Sequence, residues 1–140
     1  MKYLLDTGVW LWSLVETERM NQKARELIAE GTEDLYLSAV SCWEISIKSA
    51  LGKLPLPEPP SRLVPKALAA QGIQPLPITH YHALSVAALP PHHKDPFDRL
   101  LIAQAQAEAM TILTADKVFG KYEVEVFWCG TNSGTSRARS

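Results

Sequence analysis

The chain has 140 residues, 46% of them hydrophobic, and a formal net charge of −1. Such a length suits one domain with a full core, and such a composition excludes a disordered chain. The near-zero charge excludes a general basic field, so a nucleic-acid partner would have to be met by a local basic patch or through metal ions.

Two cysteines far apart, Cys42 and Cys129, make neither a disulfide framework nor a zinc pattern. No apolar run has the length of a membrane span, and the N-terminus lacks the form of a signal peptide. A soluble protein of the reducing cytoplasm is expected, with no membrane partner.

In chain order, KYLL (2–5) reads as a short buried strand ending at Asp6, and VWLWSLV (9–15) continues as a helix. QKARELIAEG (22–31) is an amphipathic helix stopped by Gly31. LYLS (35–38) is a second strand, and a helix follows from about Val40 to Leu51, ended by Gly52. After the proline-rich loop 55–61, RLVPKALAAQG is helical to Gly72. Were Ser61 its N-cap, Pro65 would fall beyond the first turn, which allows a later start. IQPLPI holds a third strand, and Thr79 caps a helix over THYHALSVAAL. The longest helix begins at DPFD (95–98), followed by a fourth strand at 110–114, a turn at Ala115-Asp116 and a possible fifth strand at 124–128.

Strands alternating with helices indicate an α/β domain with a mainly parallel sheet of four to five strands, spanning residues 1–129. The stretch 130–140 is a small polar tail expected to be flexible.

The acids fall at particular places on this scheme. Asp6 follows the first strand, Glu44 lies early in the helix after the second, Asp98 lies in the first turn of the longest helix, and Asp116 follows the fourth strand. In an open parallel sheet, strand C-termini and helix N-termini share one edge, where ligands bind at the reversal of strand order. Each acid has an ordinary explanation as a cap, a turn residue or a dipole partner. Asp95 in particular is a good N-cap ahead of Pro96. Those explanations do not account for an acid at nearly every junction of one edge. Clustered carboxylates repel, and a divalent cation relieves the conflict; Mg²⁺ and Mn²⁺ suit an all-oxygen site better than zinc does. Such a site suits phosphoryl chemistry.

Four blocks, LLDTGVWLW, SAVSCWEISIKSALGKL, DPFDRLLIAQA and ILTAD, resemble those of PIN-domain ribonucleases, in particular VapC-type toxins of bacterial toxin–antitoxin pairs. The resemblance covers residues 2 to about 128. It implies a three-layer α/β/α PIN-like fold and a Mg²⁺- or Mn²⁺-dependent endoribonuclease that cleaves RNA. It also implies an antitoxin partner and a homodimer. By the same resemblance Asp6, Glu44, Asp98 and Asp116 are the metal-binding and catalytic acids, and Asp95 belongs to the same block, mainly as a cap. Relatives often carry histidine after LLDT, where this chain has Gly8.

Hydroxyls of Thr7, Ser41 and Thr114 flank the acids and are candidates to orient them, with capping as the alternative for Ser41 and for Ser38. Lys48 and Arg99 are candidates for phosphate contacts; a solvated helix face and a local ion pair with Asp98 are their respective alternatives. His80 and His82, two apart on a helix, face different ways, and His92 and His93 lie in a proline-rich loop without a cysteine partner; none has zinc-site spacing, and RNA contacts or plain loop positions are the readings left. Trp43 is expected to pack in a core or interface rather than stack on a base. Two other classes compete with a nuclease. One is a catalytically inactive PIN-like module that binds RNA or protein. The other is a phosphatase or nucleotide-processing enzyme, which would show a Gly-rich phosphate loop that this chain lacks.

Overall fold

The computed structural model describes residues 1–131, so most of the expected tail lies outside the described residues. The centre is strand β1 (Lys2–Leu5), flanked by β2 (Asp34–Ser38) and β4 (Thr111–Thr114), with β3 (Gln74–Leu76) and β5 (Val126–Trp128) at the edges. The order is β3-β2-β1-β4-β5, and every pairing is parallel. All five expected strands are present. The fifth is shorter than expected: Val124 and Glu125 lie outside the strand, though the Glu125 carbonyl still accepts from the Ile112 N–H at 2.9 Å.

Six α-helices connect the strands: α1 (Thr7–Val15), α2 (Gln22–Glu30), α3 (Ala39–Ala50), α4 (Pro60–Gln71), α5 (His80–Ser85) and α6 (Pro96–Glu108). Local chemistry sets their ends. The side chains of Asn21, Ser38, Thr79 and Asp95 accept backbone N–H groups at four N-termini. Gly31 and Gly72 end α2 and α4 at φ of 69°, a left-handed conformation costly for other residues. Helix α4 begins earlier than Pro65 allowed one to expect. Pro60 takes its first position, where a missing N–H costs nothing, and Pro65 is accommodated inside the helix.

Alternation along the strands splits the core in two. Tyr3 and Leu5 of β1 join Leu35, Leu37 and Leu113 on one face, with Val9, Trp10, Ala24, Ile28 and Val64 from α1, α2 and α4. Leu4 and Ile112 point to the other face, against Leu101, Ile102, Ala103 and Ala105 of α6. Helix α3 serves both, with Ile45 in the first cluster and Val40 in the second. Each fully buried leucine or isoleucine here contributes roughly 1.5–3 kcal/mol. The result is a three-layer α/β/α sandwich whose strand order reverses between β1 and β4.

Candidate active site

The reversal point is where the acids gather. Leu5 pairs with Leu113, so the residues that follow, Asp6 and Thr114, emerge side by side. The Asp6 backbone N–H extends the ladder to the Leu113 carbonyl at 2.9 Å, and its Oδ2 accepts from the Thr114 hydroxyl at 2.9 Å. That hydroxyl oxygen in turn accepts the Asp116 N–H at 3.0 Å. Thr114 therefore joins the acid after β1 to the acid after β4. Asp116 also caps the short 3-10 turn Lys117–Lys121, its Oδ1 accepting from the Val118 N–H at 3.0 Å.

Helix α3 brings the third acid. Ser38 caps it, and the Ser41 and Thr7 hydroxyls meet at 2.7 Å in a buried contact between α3 and α1. Glu44, one turn further, is only 6% exposed. Its Oε2 accepts from Lys48 Nζ at 2.5 Å, while Oε1 is buried with no hydrogen-bond partner. An unpartnered buried carboxylate oxygen is costly, so it marks a place where another group belongs. Contact with Glu44 raises the Lys48 ammonium further above its usual range.

Helix α6 supplies the fourth. Asp95 caps it, its Oδ1 accepting the Phe97 and Asp98 N–H groups at 2.8 and 3.3 Å. The Asp98 side chain is spent differently: its Oδ2 lies 2.9 Å from His93 Nε2. The same nitrogen lies 3.2 Å from Asp116 Oδ2. Possible ligand atoms of His93, Asp98 and Asp116 lie within 4.8 Å of one another.

The acids act on one another. Burial pushes the Asp98 carboxyl up to about 8, with the charges of Asp6, Asp95, Glu44 and Asp116 adding to it. Burial likewise raises Asp6 to about 6; the Thr114 hydrogen bond opposes this, and the charges of Asp116 and Glu44 reinforce it. Asp6, Glu44, Asp98 and Asp116 thus share one field although they lie in four separate segments of the chain.

Several side chains sit elsewhere than expected. Arg99, a candidate phosphate contact, is engaged within the chain. Its guanidinium donates to the carbonyls of Val86 (3.1 Å), Leu89 (3.3 Å) and Pro90 (3.0 Å), with longer contacts to the His93 carbonyl and the Tyr122 hydroxyl. The two terminal nitrogens of this rigid fork close the loop ahead of α6 by gathering its carbonyls. No ion pair joins Arg99 to Asp98 among the described residues. Trp43 is 57% exposed rather than in the core, its ring edge-on to Phe97 with centroids 5.2 Å apart. His82 is structural. It completes a capping box with Thr79, and its Nε2 meets Glu108 at 2.8 Å. His93, which its sequence setting makes a loop residue, stands among the acids. The signal that could have found it is its place two residues before the cap of α6, on the same edge as the acids. Gly8 is not demanded by space, because a Cβ there meets nothing within 4 Å.

A family model, the PIN domain, matches residues 3–125. Over 60 residues the chain is 40% identical to ribonuclease VapC16 of Mycobacterium tuberculosis, a stretch that spans 43% of each chain. The fold is similar to VapBC2 from Rickettsia felis bound to a promoter DNA fragment. The TM-score is 0.70 at 13% identity, covering 92% of this chain and 99% of the other. It is also similar to DNA-bound VapBC from Salmonella typhimurium, with TM-score 0.66 at 14% identity over 91% and 97% of the two chains. FitAcB from Neisseria gonorrhoeae superimposes with TM-score 0.59 at 25% identity, over 89% of this chain and 96% of that one.

Proposed function

Since the chain belongs to the PIN-domain family, we propose that it is a divalent-cation-dependent endoribonuclease and acts as the toxin of a toxin–antitoxin pair. The observation that carries the reading is the convergence of Asp6, Glu44, Asp98 and Asp116 where the strand order reverses, with Glu44 Oε1 buried and unpartnered. The donor set is oxygen-rich and strongly anionic, which fits Mg²⁺ or Mn²⁺. Asp6, Glu44 and Asp98 would hold the ion, with Asp116 alongside. When bound, such an ion supplies positive charge to a phosphate and lowers the pKa of a nearby water.

The chain's own residues do the rest. Thr114 orients the Asp6 carboxylate. The Thr7–Ser41 contact ties α1 to α3, which keeps Glu44 near enough for its charge to act on Asp6. In the cation-free site burial and the neighbouring acids raise the Asp98 carboxyl to about 8, so an arriving cation would displace its proton near neutral pH and leave the carboxylate as ligand. Lys48, half-exposed beside Glu44, is the cation placed to meet a phosphate at the rim.

The antitoxin proposal is supported by the likeness to VapBC assemblies and by an apolar groove of about 480 Å³ that includes Leu11, Trp12, Leu54, Leu56 and Leu63. No helix among the described residues is long and apolar enough to cross a membrane, which is compatible with the proposed cytoplasmic location. The proposed homodimer is checked by light scattering of the antitoxin-free chain.

The decisive test is cleavage of a cellular RNA pool by purified protein with Mg²⁺ or Mn²⁺, beside EDTA and an Asp6→Asn, Asp98→Asn double variant. Cutting that needs both the cation and the aspartates supports the reading. Folded, cation-saturated, antitoxin-free protein that cuts nothing would overturn it in favour of a PIN-like binding module.

A further inference from the structure

His93 is held on every side. Its ring meets Phe119 edge-to-face, with centroids 6.0 Å apart and an interplanar angle of 87°. Its backbone N–H donates to the Tyr122 hydroxyl at 2.7 Å, and its carbonyl accepts from Arg99 at 3.5 Å. Because Arg99 also gathers the carbonyls of Val86, Leu89 and Pro90, the loop that carries His93 is tied to α6 itself.

The ring nitrogens are not equivalent. Nδ1 lies 3.3 Å from the Asp95 backbone N–H, which can only donate, so Nδ1 must offer a lone pair. In a neutral imidazole the proton is then on Nε2. That nitrogen faces two acceptors, Asp98 Oδ2 at 2.9 Å and Asp116 Oδ2 at 3.2 Å. A cation on Nε2 of a neutral ring would require a proton on Nδ1, and two donors would then meet at the Asp95 amide.

We propose that His93 is a positioning residue of the acidic site. Its Nε2–H ties Asp98 to Asp116 and sets the spacing at which they meet a divalent cation, without itself becoming a ligand. Two carboxylates at this separation repel, and a shared donor between them holds one oxygen of each in place. The other Asp116 oxygen already accepts the Val118 N–H, so both its oxygens are engaged and its orientation is set. Arg99 acts through the same device, by holding the loop on which His93 stands. The cation part of this proposal rests on the metal-site reading above; the tautomer and the tie do not.

The test uses the full chain, with Mg²⁺ and Mn²⁺ as probes. Nitrogen NMR of the His93 ring should show an unprotonated Nδ1 and a protonated Nε2, both retained when Mg²⁺ saturates the site. Pulsed EPR of bound Mn²⁺ should show no coupling to a ring nitrogen. His93→Phe keeps a flat ring against Phe119 but removes the donor, and should weaken Mg²⁺ binding by calorimetry about 10–100-fold. His93→Gln, whose amide N–H can reach the same place, should restore binding to within a factor of about three of the wild type, on the same scale of outer-shell effects.

A reversed tautomer, a nitrogen coupling to Mn²⁺, or His93→Phe that binds Mg²⁺ like the wild type would each overturn the proposal. If His93→Phe fails to fold, His93→Gln and the two spectra still decide. Wild-type protein that binds no divalent ion would overturn the metal-site reading and the cation part with it; the ring tautomer would then decide the tie alone.

Discussion

Replacing Asp6 by Asn should make the cation-free protein more stable while abolishing its activity. The Asp6 carboxyl is raised from 3.8 to about 6, first by burial and then by Asp116 and Glu44, against the Thr114 hydrogen bond. A shift of roughly two units at 1.36 kcal/mol each means that the ionised group costs about 3 kcal/mol above its folded pKa. The folded state binds this proton more tightly than the unfolded chain does. The penalty is therefore full above about pH 6, falls as pH drops from about 6 toward 4, and vanishes once both states are protonated.

Asparagine keeps the shape and an acceptor for the Thr114 hydroxyl but carries no charge. Urea unfolding in EDTA should thus show Asp6→Asn more stable than wild type by about 1–3 kcal/mol near pH 8, the range allowing for relaxation of the neighbouring acids. Near pH 4 the two proteins should coincide. With saturating Mg²⁺ the order should reverse, because only the wild type gains binding energy from the ion. An Asp6→Asn protein that is no more stable than wild type near pH 8 would refute the argument that crowded, buried charge shapes this site.

Thr114→Val should push the Asp6 carboxyl further up in an NMR titration and lower stability by about 1–3 kcal/mol, since it strands the Asp6 oxygen and the Asp116 N–H together. Arg99→Lys should lower stability by about 2 kcal/mol in urea unfolding, because one ammonium cannot span the carbonyls of Val86, Leu89 and Pro90. A phosphate contact would instead leave stability unchanged and reduce the salt slope of RNA binding by about one. Gly8→Ala should raise the thermal midpoint, corresponding to about 0.5–1 kcal/mol, because the position is helical and a Cβ meets nothing within 4 Å.

Local patterns in the sequence were enough to place the elements and to put the acids on one edge. Asp6, Glu44, Asp98 and Asp116 fall together by pattern alone, because each sits at a junction of a parallel sheet and such junctions share one edge. Ser38, Thr79, Asp95, Gly31 and Gly72 mark helix ends by interactions within a few residues, so local pattern was enough for them. Pro65 shows where it was not: its place inside α4 depends on Pro60 opening the helix.

The direction of side chains in loops and at rims follows from tertiary contacts instead. Arg99 follows Asp98 in the chain, yet its guanidinium turns to carbonyls from residues 86–90. His93 lies in a proline-rich loop, yet its ring is set between acids from α6 and from the turn after β4. Trp43 adjoins Glu44 on one helix, yet a step of one residue turns the tryptophan outward and the glutamate inward. Periodicity specifies which face of an element is buried. It does not say which distant carbonyl, ring or carboxylate that face will meet. For long polar side chains the partner sets the direction, because desolvated donors and acceptors must find one another.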